Sequence, residues 1–192
     1  MNPANPHSSR RRFFREGLAR MVGPLADYLG DRLHLPTPRI HLRPPGAIPE
    51  DAFNDTCYRC GTCVGVCPAK AIVALHDPAD AAHGTPIIDP DLAACTLCET
   101  LACTANCPSG ALLPVLDRYS VRMGTAIVYT PVCLRARGEN CTHCADACPI
   151  GVTAIQIPDA GPPRVLANGC TGCGQCQLHC PTTPKAITVK PH

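Results

Sequence analysis

An α+β fold of short strands and short helices is what this sequence predicts, and three observations predict it. Sixteen of its 192 residues are Cys, and they fall into four groups of four. Each group ends in Cys-Pro and is followed by a short apolar, often β-branched run. The residues that fill ordinary cores are scarce: there is no Trp, with three Phe and four Tyr against 15 Gly and 22 Pro. Large aromatic side chains dominate core burial, so a chain this poor in them needs metals or cross-links at its centre.

The groups are Cys57, Cys60, Cys63, Cys67; Cys95, Cys98, Cys103, Cys107; Cys133, Cys141, Cys144, Cys148; and Cys170, Cys173, Cys176, Cys180. Pro68, Pro108, Pro149 and Pro181 follow their last members. The apolar runs after them, Ala71–Leu75, Ala111–Leu116, Thr153–Ile157 and Ala186–Val189, read as strands. Thr85–Ile88, Thr125–Thr130 and Arg164–Ala167, ahead of the later groups, read the same way. The repeating unit is therefore strand, cysteine loop, short helix, strand, with a period of roughly 30 to 40 residues.

The first and fourth groups share the spacing Cys-x2-Cys-x2-Cys-x3-Cys-Pro, the cluster signature of bacterial ferredoxins. Three thiolates in one loop can cap three corners of a cubane, while backbone N–H groups of that loop face its sulfurs. The fourth Cys, on the short helix that follows, points towards a second cluster, and the proline after it sets the exit of the chain. Gly61, Gly65, Gly172 and Gly174 let the backbone approach inorganic sulfide. The second group widens the gap before its third Cys, and the third group widens the gap after its first. Four groups of four leave no cysteine over, which implies four [4Fe–4S] clusters, with all sixteen cysteines as metal ligands.

Two other uses of cysteine fit worse. A disulfide framework suits the cysteine density, but not the crowding of Cys-x2-Cys-x2-Cys or the four Cys-Pro endings. Structural zinc uses paired Cys-x2-Cys knuckles, so a third Cys three residues on is superfluous. His143 and His179 read as surface or supporting residues, since the cysteine set is complete. Arg59, Arg135 and Arg137 lie in cluster loops, where a positive charge raises a potential. No nucleotide-binding glycine loop, nucleophile–base pair or flavin motif accompanies them, so the chain reads as an electron-transfer protein and not as an enzyme.

Residues 1–50 hold no Cys, and residues 51–192 hold every cluster ligand. Phe14, Leu18, Met21, Val22, Leu25, Leu29 and Leu33 form the stripe of an amphipathic helix, broken at Gly23-Pro24 and followed by a Pro-rich linker. Residues 13–35 could pack on the body of the protein, on a partner or on a membrane surface. The formal charge of +2 counts Cys as neutral. With sixteen thiolates around four oxidised cores it becomes about −6, so the composition carries no nucleic-acid signal.

Beyond the cysteines, Gly84-Thr85-Pro86, Cys107-Pro108-Ser109-Gly110-Ala111-Leu112, Arg122-Met123-Gly124 and Cys170-Thr171-Gly172-Cys173-Gly174 resemble the MauM/NapG family of ferredoxin-type proteins. The x7 gap between Cys133 and Cys141 is similar too, and the resemblance covers roughly residues 42–190. It implies four [4Fe–4S] clusters and a relay between a quinol-oxidising membrane subunit and a reductase or cytochrome. A free soluble polyferredoxin serving several enzymes, or a cluster-bearing regulator or scaffold, are the competing functions. Ser9-Arg10-Arg11-Arg12-Phe13-Phe14 is similar to the twin-arginine export motif. The charged stretch that follows it, through Arg20, Asp27, Asp31 and Arg32, favours a retained helix and a cytoplasmic protein over periplasmic export.

A ferredoxin-like module needs two groups that exchange their fourth cysteines, so the sequence predicts two such modules. The groups can pair in chain order or nest, first with fourth and second with third. The outer groups have regular spacing and the inner ones irregular spacing, and the resemblance to multi-cluster subunits of membrane-linked oxidoreductases points the same way. Nesting is the expectation: Cys180 would join Cys57, Cys60 and Cys63, and Cys67 would join Cys170, Cys173 and Cys176. Cys148 would join Cys95, Cys98 and Cys103, and Cys107 would join Cys133, Cys141 and Cys144.

Overall fold

The structure, a computed structural model, describes residues 39–192. The stripe over residues 13–35 and the Arg10–Arg12 segment lie outside the described residues. Residues 40–192 form one compact unit, so the boundary falls at 39/40 and not at 50/51. The proline-rich segment explains the shift. Leu42, Arg43, Pro44 and Pro45 are buried, and Ile48 N–H donates to Ala111 O at 3.1 Å. What reads as a linker is part of the body.

Helix α1 (Glu50–Thr56) starts after Pro49, has Glu50 and Asp51 in its first turn, and buries Phe53. Proline fixes φ ahead of a helix, and acids suit its positive end. The other helices are single turns: α2 (Thr62–Gly65), α3 (Ala102–Ala105), α4 (His143–Asp146) and α5 (Gln175–Leu178). Turns this short do not persist in isolation, so their surroundings hold them. Each carries the third Cys of its group, and the fourth lies just beyond its end. The sequence expectation had placed the fourth Cys on the helix itself.

The strands pair in a pattern that occurs twice. Between the first two Cys groups, β1 (Ile72–Ala74) runs antiparallel to β2 (Pro86–Ile88), and Ile72 faces Ile88. A bridge from Ala47 to Leu112 joins the segments that flank this pair of groups. Between the last two groups, β4 (Ile155–Gln156) pairs with β5 (Arg164–Val165). Their flanking segments, β3 (Gly124–Val128) and β6 (Ile187–Pro191), pair antiparallel with Ala126 opposite Val189. Both halves thus have a hairpin between their groups and an outer pair that closes around them.

Of the strands expected, Ala111–Leu116 is the one that does not form. Leu113 N–H donates to Gly46 O at 2.7 Å, but pairing stops at a single bridge. Pro114 lacks the next donor, and the opposing segment carries Pro44, Pro45 and Pro49, so neither side can extend a ladder. Thr153, expected in a strand, instead ends a 3-10 turn, Gly151–Thr153. Among the described residues, no helix is long and apolar enough to cross a membrane.

The cores are built around cysteine. One joins Phe53, Ile72, Ile88, Leu97, Leu101, Leu112 and Val121 to Cys63 and Cys103. The other joins Ala126, Ile155 and Ile187 to Cys133, Cys144, Cys170, Cys176 and Cys180. Cys173, from the second half, belongs to the first core. Arg43, 6% exposed, donates to Thr85 Oγ1 at 2.6 Å, Pro86 O at 2.9 Å and Glu50 Oε2 at 2.7 Å. Its guanidinium lies 4.4 Å from the centre of the Phe53 ring. A buried charge is tolerable only when paired and hydrogen-bonded in this way.

Phe53 is fully buried and lines the first cysteine cavity. Phe53→Ala is expected to cost about 3–5 kcal/mol, seen as a lower thermal unfolding transition of the anaerobic, cluster-loaded protein. An unchanged transition would show that the metal, and not this side chain, anchors α1.

Candidate metal centres

All sixteen cysteines are free thiols, and the fold gathers them into four cavities. Cavity 1 is lined by Cys57, Cys60, Cys63 and Cys107. Cavity 2 is lined by Cys67, Cys95, Cys98 and Cys103. Cavity 3 takes Cys133, Cys141, Cys144 and Cys180, and cavity 4 takes Cys148, Cys170, Cys173 and Cys176. Every cavity combines three cysteines of one group with the fourth cysteine of another. The nested grouping expected from the sequence is corrected: groups exchange in chain order, first with second and third with fourth. The strand pairing imposes this, because each hairpin and outer pair encloses two consecutive groups.

The single-turn helices produce the exchange. Cys63 on α2 faces cavity 1, and Cys67, just past that helix, lines cavity 2. Cys103 and Cys107 do the reverse around α3. The same crossing recurs at Cys144 and Cys148, and at Cys176 and Cys180.

Backbone donors reach the sulfurs at 3.4 Å: Arg59 N–H to Cys57, Leu97 to Cys95, Leu112 to Cys107, Ala126 to Cys170 and Ala186 to Cys180. Hydroxyls add to them. Thr62 Oγ1 is 3.3 Å from Cys60 Sγ, Ser109 Oγ is 3.6 Å from Cys107 Sγ, and Thr182 Oγ1 is 3.2 Å from Cys180 Sγ. Sequence reading missed these hydroxyls, although Cys-Pro-Ser and Cys-Pro-Thr place two of them at the same offset.

Burial acts on the thiols against these donors. It pushes Cys63, Cys103 and Cys144 up to about 11 and Cys95 up to about 12, and it raises Cys176 further. The Thr62 hydroxyl lowers Cys60. Burial also pushes Cys107 and Cys180 upward, but the Ser109 and Thr182 hydroxyls with neighbouring backbone N–H groups turn the net shift downward. Thiols this reluctant to ionise become thiolates only against a metal charge, so loading the sites releases protons.

Polynuclear iron–sulfur cores fit the cavities. Among the described residues, no group of three or more His, Cys, Asp or Glu is placed to hold a single metal ion. The four thiols of a cavity instead stand around a space, as a cubane requires. Among the described residues, Thr171 Oγ1 and Arg135 Nε are buried polar side-chain atoms with no hydrogen-bond partner. Thr171 lines cavity 4 and Arg135 lines cavity 3. Buried donors are seldom left unpaired, and here both border a space rimmed by sulfur. Burial raises Cys173, and Thr171 lies close enough to oppose the rise without making a well-formed hydrogen bond.

The other residues singled out from the sequence are accounted for within the protein. Arg59 donates to His83 O at 2.9 Å, and Arg137 donates to Pro131 O at 3.1 Å. His143 is exposed at the edge of cavity 3, and exposed His179 contacts Gln175 O at 3.0 Å. Gly172 has a left-handed φ of 72°, and a Cβ there would collide with the Gly124 main chain. It packs a cysteine loop onto β3, and no approach to sulfide is needed to explain it.

The two halves meet at cysteines. Cys95 N–H, in cavity 2, donates to Cys173 O, in cavity 4, at 2.9 Å. Gln175 Nε2 donates to Ala94 O and Cys95 O, both at 3.2 Å. At Gly174, φ is 86° and a Cβ would lie 2.8 Å from Pro90 Cβ, so the loops approach closely.

Comparison with known proteins agrees with this geometry. The family described as a 4Fe-4S dicluster domain matches residues 56–111, a stretch that holds both of the first two groups and nothing of the others. The methylamine utilization ferredoxin-type protein MauM of Methylophilus methylotrophus is 38% identical over 161 residues, 78% of this chain and 70% of that protein. MauM of Paracoccus denitrificans is 37% identical over 161 residues, 78% of this chain and 71% of its own length. The ferredoxin-type protein NapG of Escherichia coli is 34% identical over 203 residues, 98% of this chain and 88% of its own. The cofactors of the present chain are [4Fe–4S] clusters, for which its sixteen cysteines supply four complete sets. With thiols in fours around cluster-sized spaces and this similarity over most of its length, the chain belongs to the MauM/NapG family of ferredoxin-type iron–sulfur proteins.

Proposed function

We propose that this chain relays single electrons through four clusters, each held by the four cysteines of one cavity. Residues 40–121 and 122–192 act as two ferredoxin-like dicluster modules. The observation that carries this reading is the set of four cysteine quartets, two of which touch through the Cys95–Cys173 hydrogen bond. That contact arranges the cavities in the order 1, 2, 4, 3. The clusters supply the redox chemistry. The protein holds their irons by thiolate and donates hydrogen bonds to sulfur. Outer-sphere transfer makes and breaks no bond, so no catalytic residue is required.

The partners we propose are redox proteins: a quinol-oxidising membrane subunit on one side and a reductase or cytochrome on the other. Residues 13–35 supply the docking segment, and the chain works as a non-catalytic subunit in the cytoplasm. Export by the twin-arginine route is the competing location, and cell fractionation decides between them. A partner that co-purifies only when residues 10–35 are present supports the subunit role. Full electron transfer without them supports a free polyferredoxin, and clusters that never cycle during turnover support a regulator or scaffold.

Anaerobic purification should yield about sixteen iron atoms and as much sulfide per chain, with low-temperature EPR signals on reduction. Colourless, folded protein with zinc or paired sulfurs would defeat the proposal. Paired substitutions test the ligand sets. Cys57→Ala with Cys107→Ala should lose one cluster and keep about twelve irons, whereas Cys57→Ala with Cys180→Ala should lose two and keep about eight. Nested pairing predicts the reverse.

A further inference from the structure

We propose that cavity 1 is the end of the relay that exchanges electrons with a redox protein, which docks on the exposed loop Tyr58–Gly61; this assignment rests on the four-cluster relay and names its port. The partner carries a one-electron cofactor near its own surface. At each encounter one electron passes between that cofactor and the cavity 1 cluster. One is oxidised as the other is reduced, and no proton or bond is exchanged.

Outer-sphere transfer weakens steeply with distance, so two proteins exchange electrons fastest where a cluster comes nearest the surface. Of the sixteen cysteines, Cys60 is the one that is exposed. Its neighbours Tyr58, Arg59 and Gly61 are exposed as well, and they line the same cavity. Tyr58 is 71% exposed. A Cβ built at Gly61 would meet no atom within 4 Å, so the space outside the loop is open. Tyr and Arg are residue types that interfaces favour, since they offer large, stiff contact surfaces with a polar edge.

The other cavities keep their ligands further from solvent. Cavity 3, at the far end of the relay, has exposed His143 and Pro181 on its rim. Its Cys133, Cys144 and Cys180 are nevertheless buried, and Cys141 is half-buried. Cavity 2 has exposed Thr96 on its wall, yet Cys103 is buried and Cys67, Cys95 and Cys98 are half-buried. In cavity 4, Cys170, Cys173 and Cys176 are buried and Cys148 is half-buried. Exposed rim residues are common to several cavities, whereas an exposed ligand belongs to cavity 1 alone.

The loop is also held in shape before any partner arrives. Arg59 has a left-handed φ of 54°, a conformation that residues with a side chain seldom adopt. Its Nε donates to His83 O at 2.9 Å and its Nη1 to Cys57 O at 3.3 Å. On the far side, Cys60 Sγ lies 3.3 Å from Thr62 Oγ1. Tyr58 and Cys60 are thus presented on either side of a fixed residue, and docking has little chain left to order.

The test is stopped-flow reduction of the full, oxidised, cluster-loaded chain by photochemically reduced flavodoxin, a one-electron flavin protein, after the iron count has been checked. Tyr58→Ala should slow the second-order rate about tenfold, as loss of an aromatic anchor does, with iron content and midpoints retained. Tyr129→Ala, which removes an exposed aromatic beside Val128 of cavity 3, should leave the rate unchanged. Cys57→Ala with Cys107→Ala, which empties cavity 1, should abolish the fast phase although about twelve irons remain. The port is overturned if Tyr58→Ala leaves the rate unmoved, if Tyr129→Ala slows it as much, or if the chain with cavity 1 emptied keeps its fast phase. A face already covered by residues 1–38 or by a second copy of the chain would give the first of these results. An iron count far below sixteen in the unaltered chain would instead overturn the ligand sets themselves.

Discussion

Sixteen thiolates in one chain repel one another and resist burial, and the structure depends on how that conflict is settled. Burial alone pushes Cys95, Cys63 and their counterparts well above the ordinary thiol range. Positive charge must enter between the sulfurs before they can ionise, and iron supplies it. The cavities are therefore the cores of the fold as well as its functional sites. The small apolar residues around them, such as Ala71, Ala111, Ala126 and Ala186, only complete the packing. This accounts for a protein with no Trp and three Phe in 192 residues.

A second consequence is the knitting of consecutive loops. Each single-turn helix holds one Cys on a cavity and releases the next, four positions on, to a neighbouring cavity. Two loops that share cavities in this way would be tied together by metal–sulfur bonds once clusters are bound. The hairpins, with two or three residues per strand, and the outer pairs then need only set direction. The link between halves follows the same economy: one backbone hydrogen bond between cysteine loops, reinforced by Gln175, with Gly174 leaving room for contact.

The polar residues near sulfur do a different task. Thr62, Ser109 and Thr182 place hydroxyls on thiols, whereas Arg59 and Arg137 spend most of their hydrogen bonds on carbonyls. Proximity in sequence to a cluster loop is thus a poor guide to which side chain acts on the cluster. Arg135 and Thr171 stand out because something in them remains unpaired.

The four cysteine groups, the four Cys-Pro endings, the iron–sulfur chemistry and most of the short strands were legible in the chain, because they depend on spacings of two to seven residues. A loop of that length meets its metal locally, whatever the rest of the protein does. The source of each fourth ligand was not legible. Cys107 and Cys180 follow equivalent loops, and only the pairing of β3 with β6, and of Ala47 with Leu112, brings the former to cavity 1 and the latter to cavity 3. The fate of residues 40–49 and the meeting of Cys95 with Cys173 were decided in the same way. Both are contacts between segments far apart in sequence, and their energies exist only once the intervening chain has folded.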